Sequence, residues 1–108
     1  MTNTTINNEM LDIFKNLGIP DREGRILIAL NKNIEGLKQK DICMEGYLYQ
    51  PEASSGLINL QSKGWVSIIS IVSLEGKGGP YAMYAVCKTF DEVLNEIRKG
   101  MDMDYETA

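Results

Sequence analysis

The sequence contains no histidine and only two cysteines, and these absences exclude several classes of protein. Without histidine, the chain lacks the most common general base and the most common zinc ligand. Cys43 and Cys87 are too far apart for the CxxC spacing of a zinc site, so we expect two reduced thiols in the core. No serine or cysteine stands beside an evident base. We therefore predict a protein that is not an enzyme and that needs no metal and no cofactor.

The chain also lacks a long hydrophobic run. No apolar stretch approaches the roughly 18 residues that a membrane-spanning helix needs, and the polar N-terminal residues do not form a secretory signal. We therefore expect a cytoplasmic protein without a membrane partner. Its 108 residues, with 44% hydrophobic and 24% charged side chains, are sufficient for one globular domain with a single core.

Positive charge is scarce as well, because the formal net charge is −4. Three acidic residues follow Gly100, and the chain before it carries 12 acidic and 11 basic residues. The segment 101–108 is predicted to be an acidic, flexible tail. The near-neutral remainder, residues 1–100, predicts weak non-specific attraction to phosphate, so binding to nucleic acid would depend on a few well-placed contacts.

A helix-turn-helix is predicted over residues 38–64. Its first helix runs from Lys38 to about Glu45 and ends at Gly46, whereas its second is opened by Gln50-Pro51 and closed by Gly64. Apolar residues recur at helical spacing on one face of the second helix, at Ala53, Leu57 and Leu60. The opposite face is polar, which is typical of a recognition helix that is accessible from outside.

A β-hairpin is predicted directly after this motif, over residues 65–87. Residues 65–74, WVSIISIVSL, are apolar on both faces, so we expect a strand that is covered on both sides or exposed only near its tip. Residues 75–80, EGKGGP, form the turn, and 81–86, YAMYAV, return. A hairpin that follows a helix-turn-helix defines a winged helix.

The remaining segments complete an α+β winged helix-turn-helix, with a three-helix core, a β-hairpin wing and an additional C-terminal helix. One amphipathic helix ends at Gly18, a second runs from Asp21 to about Asn31, and residues 34–37 could add one brief strand. The final helix is predicted over 89–99, opened by the capping box of Thr89 and closed by Gly100. These elements form one domain, residues 1–100.

The first and last helices carry apolar stripes that are candidates for a homodimer interface. The stripes comprise Met10, Ile13, Phe14, Leu17, Phe90, Val93, Leu94 and Ile97. In the alternative interpretation, both stripes pack within their own domain.

The segments QPEASSGLINLQSKGW and GKGGPYAMYAV resemble winged-helix transcriptional regulators of the MarR, ArsR and TrmB kind. They look closest to small archaeal predicted regulators with a QPE recognition helix and a GKGRP wing. The resemblance covers roughly residues 36–86, and it implies a DNA-binding dimer that acts as a repressor or activator. The helix 51–63 would enter the major groove and the wing 75–80 would lie on the adjacent backbone. Gly79 and Ser55 stand where relatives place arginines, which removes positive charge from that surface.

The resemblance also implies site residues. Gln50, Ser54, Ser55 and Asn59 would face base edges or phosphates, and the two amides can pair with adenine. The full set of predicted DNA contacts is Lys38, Gln39, Gln50, Pro51, Ser54, Ser55, Asn59, Lys63, Lys77, Gly78 and Tyr81.

Two other interpretations remain open at the level of sequence. A winged helix can bind a protein partner with the same surface and need not bind DNA, and such binding would depend less on salt. A small-molecule site is a further possibility, with aromatic and methionine side chains as its lining, namely Met44, Tyr47, Tyr49 and Trp65.

Overall fold

The fold is a winged helix-turn-helix with an additional C-terminal helix, as predicted. The computed structural model describes residues 8–73 and 80–107, and the side chains within 8–73 and 80–99. The elements in chain order are α1 (Asn8–Asn16), α2 (Asp21–Lys32), β1 (Leu37–Lys38), α3 (Gln39–Gly46), α4 (Gln50–Lys63), β2 (Val66–Val72), β3 (Tyr81–Val86) and α5 (Phe90–Thr107).

Helices α2 and α4 form the centre of the core. Both contribute fully buried side chains to one hydrophobic cluster, among them Ile26 and Leu30 on α2 and Ala53 and Leu60 on α4. Gly56 lets the two helices approach closely, because a Cβ atom there would lie 2.6 Å from Cδ1 of Ile26. The packing therefore fixes which side of α4 faces inward and which side faces out.

The three strands form an antiparallel sheet in the order β1-β3-β2. The predicted brief strand is β1, in which Leu37 pairs with Tyr84. The expectation that the first wing strand is covered on both sides is wrong, since Ile68, Ile69 and Ile71 are 44%, 52% and 63% exposed. The start of β2, at Val66, is buried among the helices, whereas the rest of the edge strand extends past them. An irregularity in the register occurs between Ile68 and Ser70.

Helix α5 begins as predicted and ends later. The backbone N–H of Thr89 donates to Oε1 of Glu92 at 2.8 Å, and the N–H of Glu92 donates to Oγ1 of Thr89 at 3.2 Å. The predicted stop at Gly100 is wrong, because the helix continues to Thr107. The flexibility of the segment 101–108 stays a prediction. A glycine costs a helix about 1 kcal/mol relative to alanine, which does not suffice to end α5, because Gly100 lies within the helix. Within the described residues, no helix combines the length and hydrophobicity needed to cross a bilayer.

The apolar stripes of α1 and α5 meet each other within the chain. Phe14 and Val93 are fully buried, and the ring of Phe14 lies edge-on against Phe90 at 5.4 Å between centroids. These two buried residues therefore belong to the core, not to a surface that a second copy could contact. Ile13 is 44% exposed, and the other stripe residues are partly buried against the core, namely Met10, Leu17, Phe90, Leu94 and Ile97.

The two cysteines occupy different environments, and the expectation of two core thiols is wrong for one of them. Cys43 is half-buried against the core, whereas Cys87 follows β3 and is exposed. Burial raises the pKa of the Cys43 thiol, and the carboxylate of Glu52 raises it further.

Candidate nucleic-acid interface

The turn between α3 and α4 fixes the start of the exposed helix. Tyr47 takes the left-handed conformation that ends α3, with φ 55°, and Leu48 then packs against the core. Oε1 of Glu52 accepts the backbone N–H of Tyr49 at 2.9 Å, which caps α4. Nη1 of Arg25 donates to the carbonyl oxygen of Gly46 at 3.1 Å, so α2 holds the turn in place.

The side chains predicted as a possible lining for a small molecule lie in and around this turn. Met44, Tyr47 and Tyr49 are 67%, 63% and 79% exposed, whereas Trp65 is buried at the start of the wing. A lining would need these side chains to face one common cavity. The structure does not bring them together, because three of them point to solvent.

The outward face of α4 is uncharged. Gln50, Pro51 and Ser54 are exposed there, as predicted for a recognition helix, and Ser55 is half-buried. Ile58 lies near the middle of this face and is 60% exposed, and Ser62 follows one turn later. The face therefore offers hydroxyl groups, an amide and one branched aliphatic side chain.

The side of α4 that faces α2 carries an ion pair to a buried carboxylate. Glu23 on α2 is 2% exposed, and its Oε1 lies 2.8 Å from Nζ of Lys63. Nδ2 of Asn59 donates to the other oxygen of this carboxylate at 3.1 Å. Nζ of Lys63 also lies 4.9 Å from the centroid of the Trp65 ring. Both predicted DNA contacts at this end of α4, Asn59 and Lys63, thus compensate a buried carboxylate, which would be costly without partners.

A second group of predicted residues meets beside the N-terminus of α4. Nε2 of Gln39 donates to Oε1 of Gln50 at 2.7 Å, joining the starts of α3 and α4. Nζ of Lys38 lies 5.0 Å from the centroid of the Tyr81 ring on β3, within range of a cation–π contact. An open pocket of about 270 Å³ lies here, lined by Lys38, Gln39, Lys40, Tyr81, Ala82 and Tyr84. Lys77 and Gly78 lie outside the described residues, as does Gly79.

Three exposed residues around α4 are not among the predicted DNA contacts. Ile58 follows Pro51 by seven residues, and Ser62 follows Ile58 by four, so the helical pattern places both on the outward face. Arg22 on α2 is exposed, and its Cγ lies 3.5 Å from the position of a Cβ on Gly56, so its stem runs beside α4. No local sequence signal indicates that neighbour. The described residues contain no group of three or more acidic or cysteine side chains that could hold a metal ion.

The chain matches no protein-family model and no curated protein sequence. It is similar in structure to a possible transcriptional regulator from Methanosarcina mazei Go1, with a TM-score of 0.69 and 15% identity over 93% of this chain and 81% of that one. NadR in complex with 4-hydroxyphenylacetate gives a TM-score of 0.58 and 18% identity, over 93% and 67% of the two chains. S. aureus MepR in complex with DNA gives a TM-score of 0.53 and 19% identity, over 93% of this chain and 82% of that one. At these identities, the likeness shows a shared fold.

Proposed function

We propose that the protein is a cytoplasmic, non-enzymatic, DNA-binding transcriptional regulator that inserts α4 into the major groove and lays the wing, residues 75–80, on the adjacent backbone. The observation that carries the proposal is the exposed, uncharged face of α4 beside the cluster of Lys38, Gln39 and Tyr81. Such a face offers hydrogen bonds and apolar contact to base edges, and a lysine beside it can contact phosphate. One structure with the same fold, MepR, was solved as a complex with DNA.

We assign the candidate residues to three roles. Gln50, Ser54 and Ser55 are assigned to the groove, with Pro51 starting the helix there. Asn59 and Lys63 are assigned to supporting α4, since both bind Glu23. Phosphate contacts are assigned to Lys38, Lys40 and Arg22 around α4, with Lys77 and Gly78 in the wing.

The regulator is proposed to act as a homodimer. The dimer interface would use the exposed parts of the α1 and α5 stripes, among which Ile13 has the most accessible apolar side chain, 44% exposed. A two-fold dimer would place its two copies of α4 on half-sites about one helical turn of DNA apart. Ile13→Asp should convert the dimer to a monomer in analytical ultracentrifugation. A dimer that persists in this variant would place the interface elsewhere.

The direct test is fluorescence anisotropy with duplexes from the gene's own genomic neighbourhood, at low and at physiological salt. We expect binding that weakens with salt on a shallow slope and is lost in Gln50→Ala. Asn95→Ala, which removes an exposed amide from α5, is the matched control and should bind normally. Failure to bind any duplex at low salt would contradict the proposal.

The second candidate is a winged-helix module that binds a protein partner. The exposed Met44, Tyr47 and Tyr49 beside α4 favour it, because aromatic and methionine side chains are enriched in protein interfaces. Its binding would persist at high salt, whereas binding to DNA would not.

A further inference from the structure

The chemistry of α4 narrows the kind of DNA sequence that it can read. The helix contains two charged residues, Glu52 and Lys63, and both are engaged within the chain. Glu52 accepts the backbone N–H of Tyr49, and Lys63 binds the buried Glu23. The face that would enter the groove therefore presents no arginine or lysine for guanine and no carboxylate for cytosine.

Ile58 stands near the centre of this uncharged face. Serines lie four residues before and after it, at positions 54 and 62, and their short side chains leave the isoleucine as the projecting group. An isoleucine pressed against guanine or cytosine would cover hydrogen-bonding groups without replacing their water, which costs free energy. Thymine is the base that presents a methyl group in the major groove.

We propose that Ile58 reads the C5-methyl group of thymine and that the DNA site carries an A·T pair at the centre of each half-site. This inference rests on the proposed function. Gln50, two turns earlier on the helix, extends the same preference, because an amide pairs with the N6 and N7 groups of adenine. The bond from Gln39 to its Oε1 orients that amide at the start of α4.

The test uses the full chain and the duplex that it enriches from a randomised pool. We expect A·T pairs at the enriched positions under α4. Each thymine of that duplex is then replaced singly by deoxyuridine, which removes the methyl group and keeps the base pairing. At the thymine under Ile58, this replacement should weaken binding about four-fold, the value of one buried methyl group.

The variant Ile58→Ala should bind the thymine and deoxyuridine duplexes equally. Because Ile58 is 60% exposed, this variant should fold, which circular dichroism can check. Ile34→Ala is the matched control, since Ile34 is 75% exposed outside α4, and it should keep the four-fold difference.

Three results would overturn the inference: enrichment of G·C pairs under α4, equal binding of both duplexes by the unaltered protein, or a four-fold difference that survives in Ile58→Ala. All three leave binding to DNA intact. Enrichment of no duplex at all would overturn the proposed function as well. Failure of the thymine inference alone can therefore be distinguished from failure of DNA binding.

Discussion

The two long sides of α4 differ in where the helix places its lysine and its one exposed isoleucine. On the side toward α2, Asn59 and Lys63 bind the buried carboxylate of Glu23. On the outward side, the branched aliphatic side chain of Ile58 is 60% exposed. The lysine of the helix is thus bound within the chain, whereas the isoleucine is accessible for the proposed contact with DNA.

If the proposed function holds, this difference determines where the binding energy for DNA can originate. Since α4 has no uncommitted charge, electrostatic attraction must come from neighbouring elements, such as Lys38 before α3 and Arg22 on α2. Recognition by α4 itself then rests on hydrogen bonds and apolar contact. A regulator of the proposed kind would discriminate between bases more through shape and methyl groups than through charge.

The largest expected effect comes from breaking the inward side. Lys63→Met leaves the carboxylate of Glu23 buried with one amide donor, and we expect a loss of about 2 kcal/mol in the free energy of unfolding. This loss of stability should be smaller than the loss from breaking a fully buried ion pair, because the Lys63 side chain is 38% exposed. Urea denaturation at neutral pH measures it.

A double-mutant cycle with Glu23→Gln provides the control. In that background the buried group is neutral, so Lys63→Met should cost little. Lys40→Met, which removes an exposed lysine from α3, should change stability by less than about 0.5 kcal/mol. Equal losses from Lys63→Met in both backgrounds would show that the ion pair does not hold α4 against α2.

The same contrast predicts opposite signs for two alanine substitutions within α4. Gly56→Ala would place a Cβ atom 2.6 Å from Ile26, and we expect a net loss of about 1 kcal/mol after the gain in helix propensity. Ser54→Ala on the exposed side should raise stability by about 0.3 kcal/mol, because alanine has the higher propensity. Thermal and urea unfolding of both variants test this. A stabilised Gly56→Ala would mean that the two helices can separate without cost.

Much of the fold follows from local patterns in the sequence. The helical spacing, the stops at Gly18 and Gly64 and the Thr89 capping box predicted the helices, and each glycine with positive φ among the described residues lies in a turn. The predicted end of α5 at Gly100 was wrong, because a glycine after basic residues ends a helix only if the chain then changes direction. Composition alone does not decide that change. The exposure of β2 was missed for a related reason. A strand that is apolar on both faces does not reveal how far it extends past the helices that cover its start.

The candidate site was predicted in part, and the misses share one cause. Gln50 and Ser54 lie on the exposed face because helical periodicity places them there. Asn59 and Lys63 follow the same periodicity near its border, and their partner Glu23 is 36 and 40 residues away, a contact that no local pattern encodes. Tertiary pairing decides which border residue is available to a ligand.

A smaller effect should come from the charge beside the outward face. Lys38→Met should weaken DNA binding about three-fold at physiological salt and reduce the slope of log affinity against log salt by about 1, as for one lost phosphate contact. The sequence preference should not change. Lys15→Met on α1 is the matched control, because that exposed lysine lies outside the proposed interface. An unchanged slope for Lys38→Met would move the phosphate contact to another element.

The smallest effect concerns Glu52, the other charge that α4 keeps within the chain. Burial first, and then the carboxylate of Glu52, raise the pKa of the Cys43 thiol, so its alkylation should accelerate only above the pH at which an ordinary thiol reacts. Glu52→Gln removes the negative charge and can still accept the Tyr49 N–H, so the pKa of Cys43 should fall but remain raised by burial. Iodoacetamide rates against pH in a Cys87→Ser background measure both shifts. An unchanged profile in Glu52→Gln would show that the carboxylate is screened from Cys43 and that burial alone sets the pKa of the thiol.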